Sequence, residues 1–88
     1  MSFEVWLHPK ADAFLDSLDS VLKKKIKDKL RELSEEPNKK GKQLTSSFFR
    51  MRIGKYRAIY EILWDELRVN VLFIGHRDHV YDDFEKLL

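Results

Sequence analysis

Three arginines fall close together in one predicted hairpin, and their side chains are of a type that binds phosphate. Arg50, Arg52 and Arg57 flank Gly54-Lys55, and a two-residue turn there would place Arg52 directly opposite Arg57. Like charges opposite each other destabilise a sheet unless an anion offsets them, and phosphate fits the planar guanidinium fork. The pattern predicts a phosphate-binding face; the alternative is a solvated face on which the arginines only add solubility.

A second polar group lies at the end of the last predicted strand, in the run Gly75-His76-Arg77-Asp78-His79-Val80-Tyr81. If Asp65-Glu66 forms a turn, Arg57 pairs near Ile74, and His76 then reaches the face that carries the arginines. Histidine exchanges a proton near neutral pH, so His76 is a candidate general base. An ordinary histidine at a strand end is the alternative, and alternation does not settle where the side chains beyond the strand point.

Other chemistries lack their usual residues in this sequence. The chain has no cysteine, and its three histidines, at positions 8, 76 and 79, form no helical pair, which disfavours thiolate zinc sites, metal proteases and disulfides. The three glycines are isolated at positions 41, 54 and 75, so no glycine-rich phosphate loop is present. We therefore expect a site without metal or cofactor.

Length and composition predict one globular domain over residues 1–88. The chain is 43% hydrophobic and 36% charged, which is typical of a packed domain. It shows no basic leader and no apolar stretch near the ~20 residues of a membrane span, so we expect a cytoplasmic protein. The formal charge of +2 is too small to identify a polyanionic partner, and the distribution of charge matters more.

Hydrophobic periodicity predicts the elements that position these residues. Period-two alternation over Phe3, Val5 and Leu7 predicts a strand. A helix over about 10–18 and a second helix capped by Ser17 or Asp19 follow, ending at Glu36-Pro37 before a basic loop over 39–42. Three strands then follow from Ser46 onward, with turns at 54–55 and 65–66, and a short helix carrying Val80, Phe84 and Leu87 comes after Asp78.

This order predicts an α+β fold in which helices cover one face of an antiparallel meander. The lysines of the second helix face outward, either as a solvated surface or as a contact for nucleic acid or a protein partner. The predicted core face of the sheet collects Phe49, Met51, Ile53, Ala58, Tyr60, Ile62, Val69, Val71 and Phe73.

The segment from Phe49 to Tyr60 resembles the signature of the RelE/ParE toxin superfamily. The matching residues are Phe49-Arg50-Met51-Arg52-Ile53-Gly54-Lys55-Tyr56-Arg57-Ala58-Ile59-Tyr60, followed by Ile74-Gly75-His76-Arg77 and Val80-Tyr81. Tyr56-Arg57 and Ile59-Tyr60 are the most specific part, and the leading strand and helical hairpin extend the likeness over almost the whole chain.

A RelE-type member of this superfamily would be an endoribonuclease that cuts messenger RNA in the ribosomal A site without metal. The resemblance implies phosphate binding by Arg52 and Arg57, leaving-oxygen protonation or charge stabilisation by Arg77, and base stacking or orientation by Tyr81. It also implies that Arg50, Lys55 and Phe48 contact the RNA, on the same hairpin.

One departure from the family affects the expected mechanism. The best-known member has lysines where this chain has Arg50 and Arg52, and one of those lysines is thought to act as the base. Arginine stays protonated and is a poor proton acceptor. Either His76 supplies the base, or no dedicated base exists and electrostatics carry a slow reaction.

The resemblance also implies a partner and leaves two rival functions. A RelB-like antitoxin would wrap the toxin and could use the lysine-rich helix and the apolar C-terminal turn around Phe84 and Leu87. The first rival is a ParE-like toxin that poisons DNA gyrase and cleaves no RNA. The second is a catalytically weak module of the same fold that only binds RNA or the antitoxin.

Overall fold

Five strands and three α-helices form the fold in a computed structural model that describes residues 2–87, apart from the side chains of Asp83 and Leu87. The strands are β1 (Glu4–Leu7), β2 (Lys42–Gln43), β3 (Phe48–Ile53), β4 (Tyr56–Leu63) and β5 (Arg68–His76). The helices are α1 (Pro9–Asp16), α2 (Ser20–Arg31) and α3 (Val80–Leu87). The sheet order is β1-β5-β4-β3-β2, with β1 parallel to β5 and the other pairs antiparallel.

Helices α1 and α2 begin within a residue of where the sequence predicts, but both end earlier: α1 ends at Asp16 and not near residue 18, and α2 ends at Arg31 and not at Glu36. Pro9 suits the first turn of α1 because it needs no amide partner there. Asp19, one of the two predicted caps, accepts a hydrogen bond from the Leu22 amide at 2.9 Å and starts α2. Both helices bury apolar side chains against one face of the sheet, and this confirms the predicted α+β class. No helix in the stretch 2–87 is long and apolar enough to cross a membrane.

The hairpin between β3 and β4 has the predicted register. Gly54 adopts φ +60° in the two-residue turn, a conformation that glycine takes without strain. Ile53 pairs with Tyr56 and Arg52 pairs with Arg57. The side chains of β3 therefore alternate between the helix-covered face and the opposite face, which we call the outer face.

A β-bulge in β5 makes the predicted register of the next hairpin wrong by one residue. Tyr60 pairs with Val71, but Ile59 pairs with Phe73, so Leu72 is an extra residue between them. Arg57 consequently pairs with Gly75 and not with Ile74, the partner that the sequence predicts. The shift exchanges the faces of the residues that follow the bulge.

Phe73 was predicted for the main core, and this assignment is also wrong. Phe73 packs on the outer face with Ile59, Val80 and Phe84, whereas Ile74 joins the main core under α1 and α2. The other eight predicted core residues are buried on the helix-covered face. The bulge thus gives the sheet a second, smaller core that holds α3 on the outer face.

Two further features were not predicted from the sequence. The segment 39–42 was expected to be a loop, but it ends in β2, whose two residues extend the sheet beside β3. A 3₁₀ helix, Trp64–Glu66, replaces the expected tight turn, and Leu67 then adopts φ 50°. The predicted apolar contribution of Leu87 lies outside the side chains that the structure describes.

Candidate functional site

Arg57 is the buried centre of the outer-face site. Its side chain is 7% exposed, and its Nη1 atom donates hydrogen bonds to the carbonyl oxygens of Gly54 at 2.9 Å and Tyr56 at 2.8 Å. The turn of the hairpin therefore fixes the guanidinium in place. Such burial contradicts the alternative in which Arg57 is a solvated arginine.

The arginines converge on this outer face. Burial lowers the pKa of Arg57, and the nearby charges of Arg52, Arg50 and Arg77 lower it further, in that order. Arg52 and Arg77 are exposed, and Arg50 is half-buried. Guanidinium groups close enough to perturb one another leave a strong local positive field, which suits an anion.

Tyr81 joins the cluster from α3. The Nη1 atom of Arg50 donates a 3.1 Å hydrogen bond to the Tyr81 hydroxyl. The nearby Tyr81 also raises the pKa of Arg57, opposite to the effect of the neighbouring arginines. The second core beneath α3 holds the tyrosine over the sheet. The sequence pattern left the direction of Arg77 and Tyr81 open, and the structure brings both to the arginines.

No carboxylate that the structure describes forms an ion pair with the central arginines. Among the side chains that the structure describes, no carboxylate oxygen lies within 4.0 Å of Arg50, Arg52 or Arg57. Arg77 approaches Asp78, with 4.0 Å between its Nε and Oδ1. A bound anion would offset the repulsion between these groups.

His76 lies on the helix-covered side of the strand end, so its predicted position on the arginine face is wrong. The bulge at Leu72 pairs His76 with Tyr56, and the two rings meet edge to face at 6.0 Å. The His76 Nδ1 atom accepts a hydrogen bond from the Asp78 amide at 3.2 Å. His76 therefore holds the turn that carries Arg77.

The other predicted RNA contacts occupy two different environments. Lys55 is exposed in the hairpin turn, and its carbonyl accepts a 2.8 Å hydrogen bond from the Arg77 amide, which joins the two halves of the site. Phe48 packs edge to face on Phe84 at 5.3 Å. Because it is half-buried in the second core, Phe48 supports α3 and exposes little of its ring to a ligand.

Sequence reasoning missed the continuation of this charged face onto β2. Lys42 lies directly opposite Arg50, and residues directly opposite on paired strands point to the same face. The run Lys39-Lys40-Gly41-Lys42 carries the signal for this extension, because its lysines are close together in the sequence. The signal places Lys42 beside Arg50 only if a strand is recognised at β2. In the described part of the chain, no group of three or more histidine or acidic residues could hold a metal ion.

Comparisons with known proteins agree on one family. Residues 5–81 match the family described as the ParE toxin of the type II toxin-antitoxin system parDE. The RelE1 protein of Methanocaldococcus jannaschii is 30% identical over an alignment of 87 residues. The alignment covers 92% of this chain and 97% of that protein.

Solved structures give the same result for the fold. The RelBE2 toxin-antitoxin complex of Mycobacterium tuberculosis contains a chain with a TM-score of 0.80 and 27% identity, covering 88% of this chain and 93% of that one. A mutant E. coli RelE toxin in the free state also has a TM-score of 0.80, at 20% identity and full coverage of both chains. With the family match over most of the sequence, these likenesses show that the chain belongs to the RelE/ParE superfamily as a RelE-type toxin of a type II toxin-antitoxin system.

Proposed function

We propose that this toxin is a ribosome-dependent endoribonuclease that cleaves messenger RNA in the A site without a metal ion. The observation that carries the proposal is the convergence of Arg50, Arg52 and Arg77 on the buried guanidinium of Arg57. Tyr81 is hydrogen-bonded to Arg50 beside it. Fixed cations in a partly desolvated site stabilise the charge that develops on a phosphate during cleavage.

The proposed reaction uses the substrate as its own nucleophile. The ribose 2′-oxygen bonds to the adjacent phosphorus while the bond from phosphorus to the 5′-oxygen breaks, and the products are a 2′,3′-cyclic phosphate and a 5′-hydroxyl. Arg57 and Arg52 would hold the non-bridging oxygens, and Arg77 would stabilise the charge on the leaving oxygen. That oxygen would take its proton from water. Tyr81, held by Arg50, would orient the neighbouring base.

We further propose that the toxin has no dedicated general base. His76 faces Tyr56, and its Nδ1 atom is engaged by the Asp78 amide, so it supports the turn before Arg77. The 2′-hydroxyl proton would leave to water, and electrostatic stabilisation would supply most of the acceleration. This favours the second of the two mechanisms that the sequence left open.

A helical antitoxin of the RelB type is the partner that we propose for this chain. Solved relatives from Mycobacterium tuberculosis and Pyrococcus horikoshii are complexes of a RelE-type toxin with RelB. An acidic segment of such a partner would neutralise the arginine cluster and thereby block RNA. Toxin and antitoxin would both act in the cytoplasm, where ribosomes are found.

The decisive test of the function is cleavage on programmed ribosomes. Purified toxin is added to ribosomes with a defined codon in the A site, in the presence and absence of EDTA, and RNA ends are mapped. We expect a cut within the A-site codon that leaves a cyclic phosphate and a 5′-hydroxyl. The same cut should occur when total EDTA exceeds the toxin but stays below the magnesium that the ribosome needs, because EDTA then removes transition metals and leaves the ribosome intact. No cleavage at any A-site codon tested would overturn the proposal.

Inhibition of DNA gyrase is the second candidate, because the matched family is named for ParE. A supercoiling assay with purified gyrase separates the two functions. Loss of supercoiling together with intact messenger RNA would favour the ParE-like activity. The arginine cluster favours RNA cleavage, since Arg52, Arg57 and Arg77 could all act on one phosphodiester.

A further inference from the structure

The cationic surface continues past the arginine cluster onto β2 and into a groove at the free edge of β3. Six cationic residues line this groove of about 490 Å³, together with the single carboxylate Glu32. They are Lys29, Lys39, Lys40, Lys42, Arg50 and Arg52. The whole chain has a formal charge of only +2, so positive charge is strongly concentrated here.

Two like-charge pairs lie side by side where the groove meets the site. Lys42 is opposite Arg50 on β2 and β3, and Arg52 is opposite Arg57 on β3 and β4. Each pair is unfavourable without an anion, and each falls on the outer face. Because there are two such pairs, one beside the other, they could bind two phosphates, one at each pair.

Two of the groove lysines form no ion pair with any carboxylate that the structure describes. Lys29 and Lys39 form ion pairs with Glu32 and Glu36 at 3.3 and 3.2 Å. Lys40 and Lys42 are exposed, and no carboxylate among the described side chains lies within 4.0 Å of either. Their ammonium groups are available to a ligand.

Buried contacts fix the loop that carries these lysines. The hydroxyl of Tyr60, fully buried, donates a 2.7 Å hydrogen bond to the Pro37 carbonyl. Gly41 lies so close to β3 that a Cβ atom there would overlap the Arg50 carbonyl oxygen and lie 2.6 Å from the Tyr60 hydroxyl. The backbone of the loop is therefore held against the sheet, and this fixes the positions from which its lysines extend.

We propose that this groove is a second phosphate-binding subsite, in which Lys40 and Lys42 hold the RNA backbone beside the cleaved linkage. The inference rests on the proposed function, because it assigns a path to the RNA that the arginine cluster would cut. The ligand class is a single-stranded RNA backbone, contributed by the messenger or by ribosomal RNA. The contacts involve phosphates and carry no sequence preference.

The test compares Lys40→Ala/Lys42→Ala with the matched control Lys24→Ala/Lys25→Ala, which removes two exposed charges of α2 outside the groove. One arm measures binding of a 2′-O-methyl RNA oligonucleotide as a function of salt; this probe cannot be cleaved, because its 2′-oxygen is blocked. The other arm measures single-turnover cleavage on programmed ribosomes as a function of toxin concentration.

The expected result is weaker binding by the groove variant without a slower chemical step. Its log-log salt slope should fall by about 1.4, since each single-strand phosphate contact contributes roughly 0.7. On ribosomes the half-saturating concentration should rise several-fold at an unchanged saturating rate. A change in both arms assigns the contact to messenger RNA, and a change on ribosomes alone assigns it to ribosomal RNA.

Two results would overturn the subsite, and they differ from failure of the proposed function. If wild type cleaves and the groove variant matches the control in both arms, the subsite is wrong and the nuclease stands. If wild type does not cleave, the proposed function fails, and the oligonucleotide arm alone decides whether the groove binds RNA. A wild type that neither cleaves nor binds overturns both.

Discussion

Arg52 and Arg57 are directly opposite each other on β3 and β4, yet their side chains lie in different environments. Arg57 is buried and bonded to the carbonyls of Gly54 and Tyr56, whereas Arg52 is exposed. One guanidinium is thus fixed by the fold, and the other is free to close on a ligand. The repulsion between them is the stability cost of an anion site.

Removing Arg52 should stabilise the free protein and slow the reaction. Arg52→Gln deletes a repulsive cross-strand partner, so the free energy of unfolding should rise by about 0.5 kcal/mol at low ionic strength. Urea unfolding and ribosome cleavage on the same preparation measure both effects. Arg31→Gln, which loses an ion pair with Asp28, is the control and should not gain stability. A less stable Arg52→Gln would contradict the like-charge account.

The hydrogen bond between Arg50 and Tyr81 should couple β3 to α3. Tyr81→Phe removes the 3.1 Å contact but keeps the ring, so cleavage should slow while the fold persists. A double-mutant cycle with Arg50→Gln should give a coupling of about 1 kcal/mol in unfolding. Additive effects of the two substitutions would show that the bond contributes nothing.

Tyr60 predicts a loss of stability at alkaline pH. Burial raises the pKa of Tyr60 to about 12, from an ordinary value of 10.0. The folded protein therefore keeps a proton that the unfolded chain releases, and stability present below pH 10 is lost as pH rises towards 12. The loss amounts to roughly 3 kcal/mol, since one pKa unit is worth about 1.4 kcal/mol.

The measurement for Tyr60 is thermal unfolding between pH 9 and 12, with Tyr60→Phe as the reference. The variant lacks the bond to Pro37 and should be less stable at pH 7 by about 1 to 2 kcal/mol. It should also lose less stability on alkalinisation than wild type. Parallel pH curves for the two proteins would contradict the assignment.

Gly54→Ala should weaken the hairpin through backbone strain alone. The φ of +60° disfavours any residue with a Cβ, although nothing lies within 4 Å of the space that a Cβ would occupy. The expected cost is about 1 kcal/mol in unfolding, and Gly54→Asn should cost less because asparagine tolerates this conformation. Equal stability of Gly54→Ala and wild type would contradict the prediction, because it would show that a Cβ at this positive φ costs no stability.

His76→Ala should affect positioning without removing a proton acceptor. The substitution loses the contact with the Asp78 amide, so cleavage should slow moderately while the slope of log rate against pH stays unchanged. The full pH profile on ribosomes measures this. A slope that flattens between pH 5 and 8 would restore His76 as the general base.

Local sequence signals predicted the parts of the fold that local chemistry determines. Gly54-Lys55 defined the turn, so the opposition of Arg52 and Arg57 follows from two residues. Asp19 defined the start of α2 through its side-chain cap. Both are short-range effects that neighbouring residues alone can produce.

Long-range features were beyond the sequence pattern. No residue type marks Leu72 as a bulge, yet that one extra residue moved His76 and Phe73 to the opposite faces. Lys42 joins the charged face because β2 pairs with β3, a tertiary contact of only two residues. The pairing of two strands depends on how the side chains on both faces of the sheet pack against their neighbours. The alternation of residues within one segment does not contain that information.

The measurement that tests the central claim most directly is single-turnover cleavage on programmed ribosomes by wild type, Arg57→Gln and Arg31→Gln. Unfolding curves for all three would first establish that each protein is folded. We predict that Arg57→Gln slows cleavage about a hundredfold or more, as loss of a fixed transition-state donor does, while Arg31→Gln leaves the rate unchanged. A folded Arg57→Gln that cleaves at the wild-type rate would contradict the account.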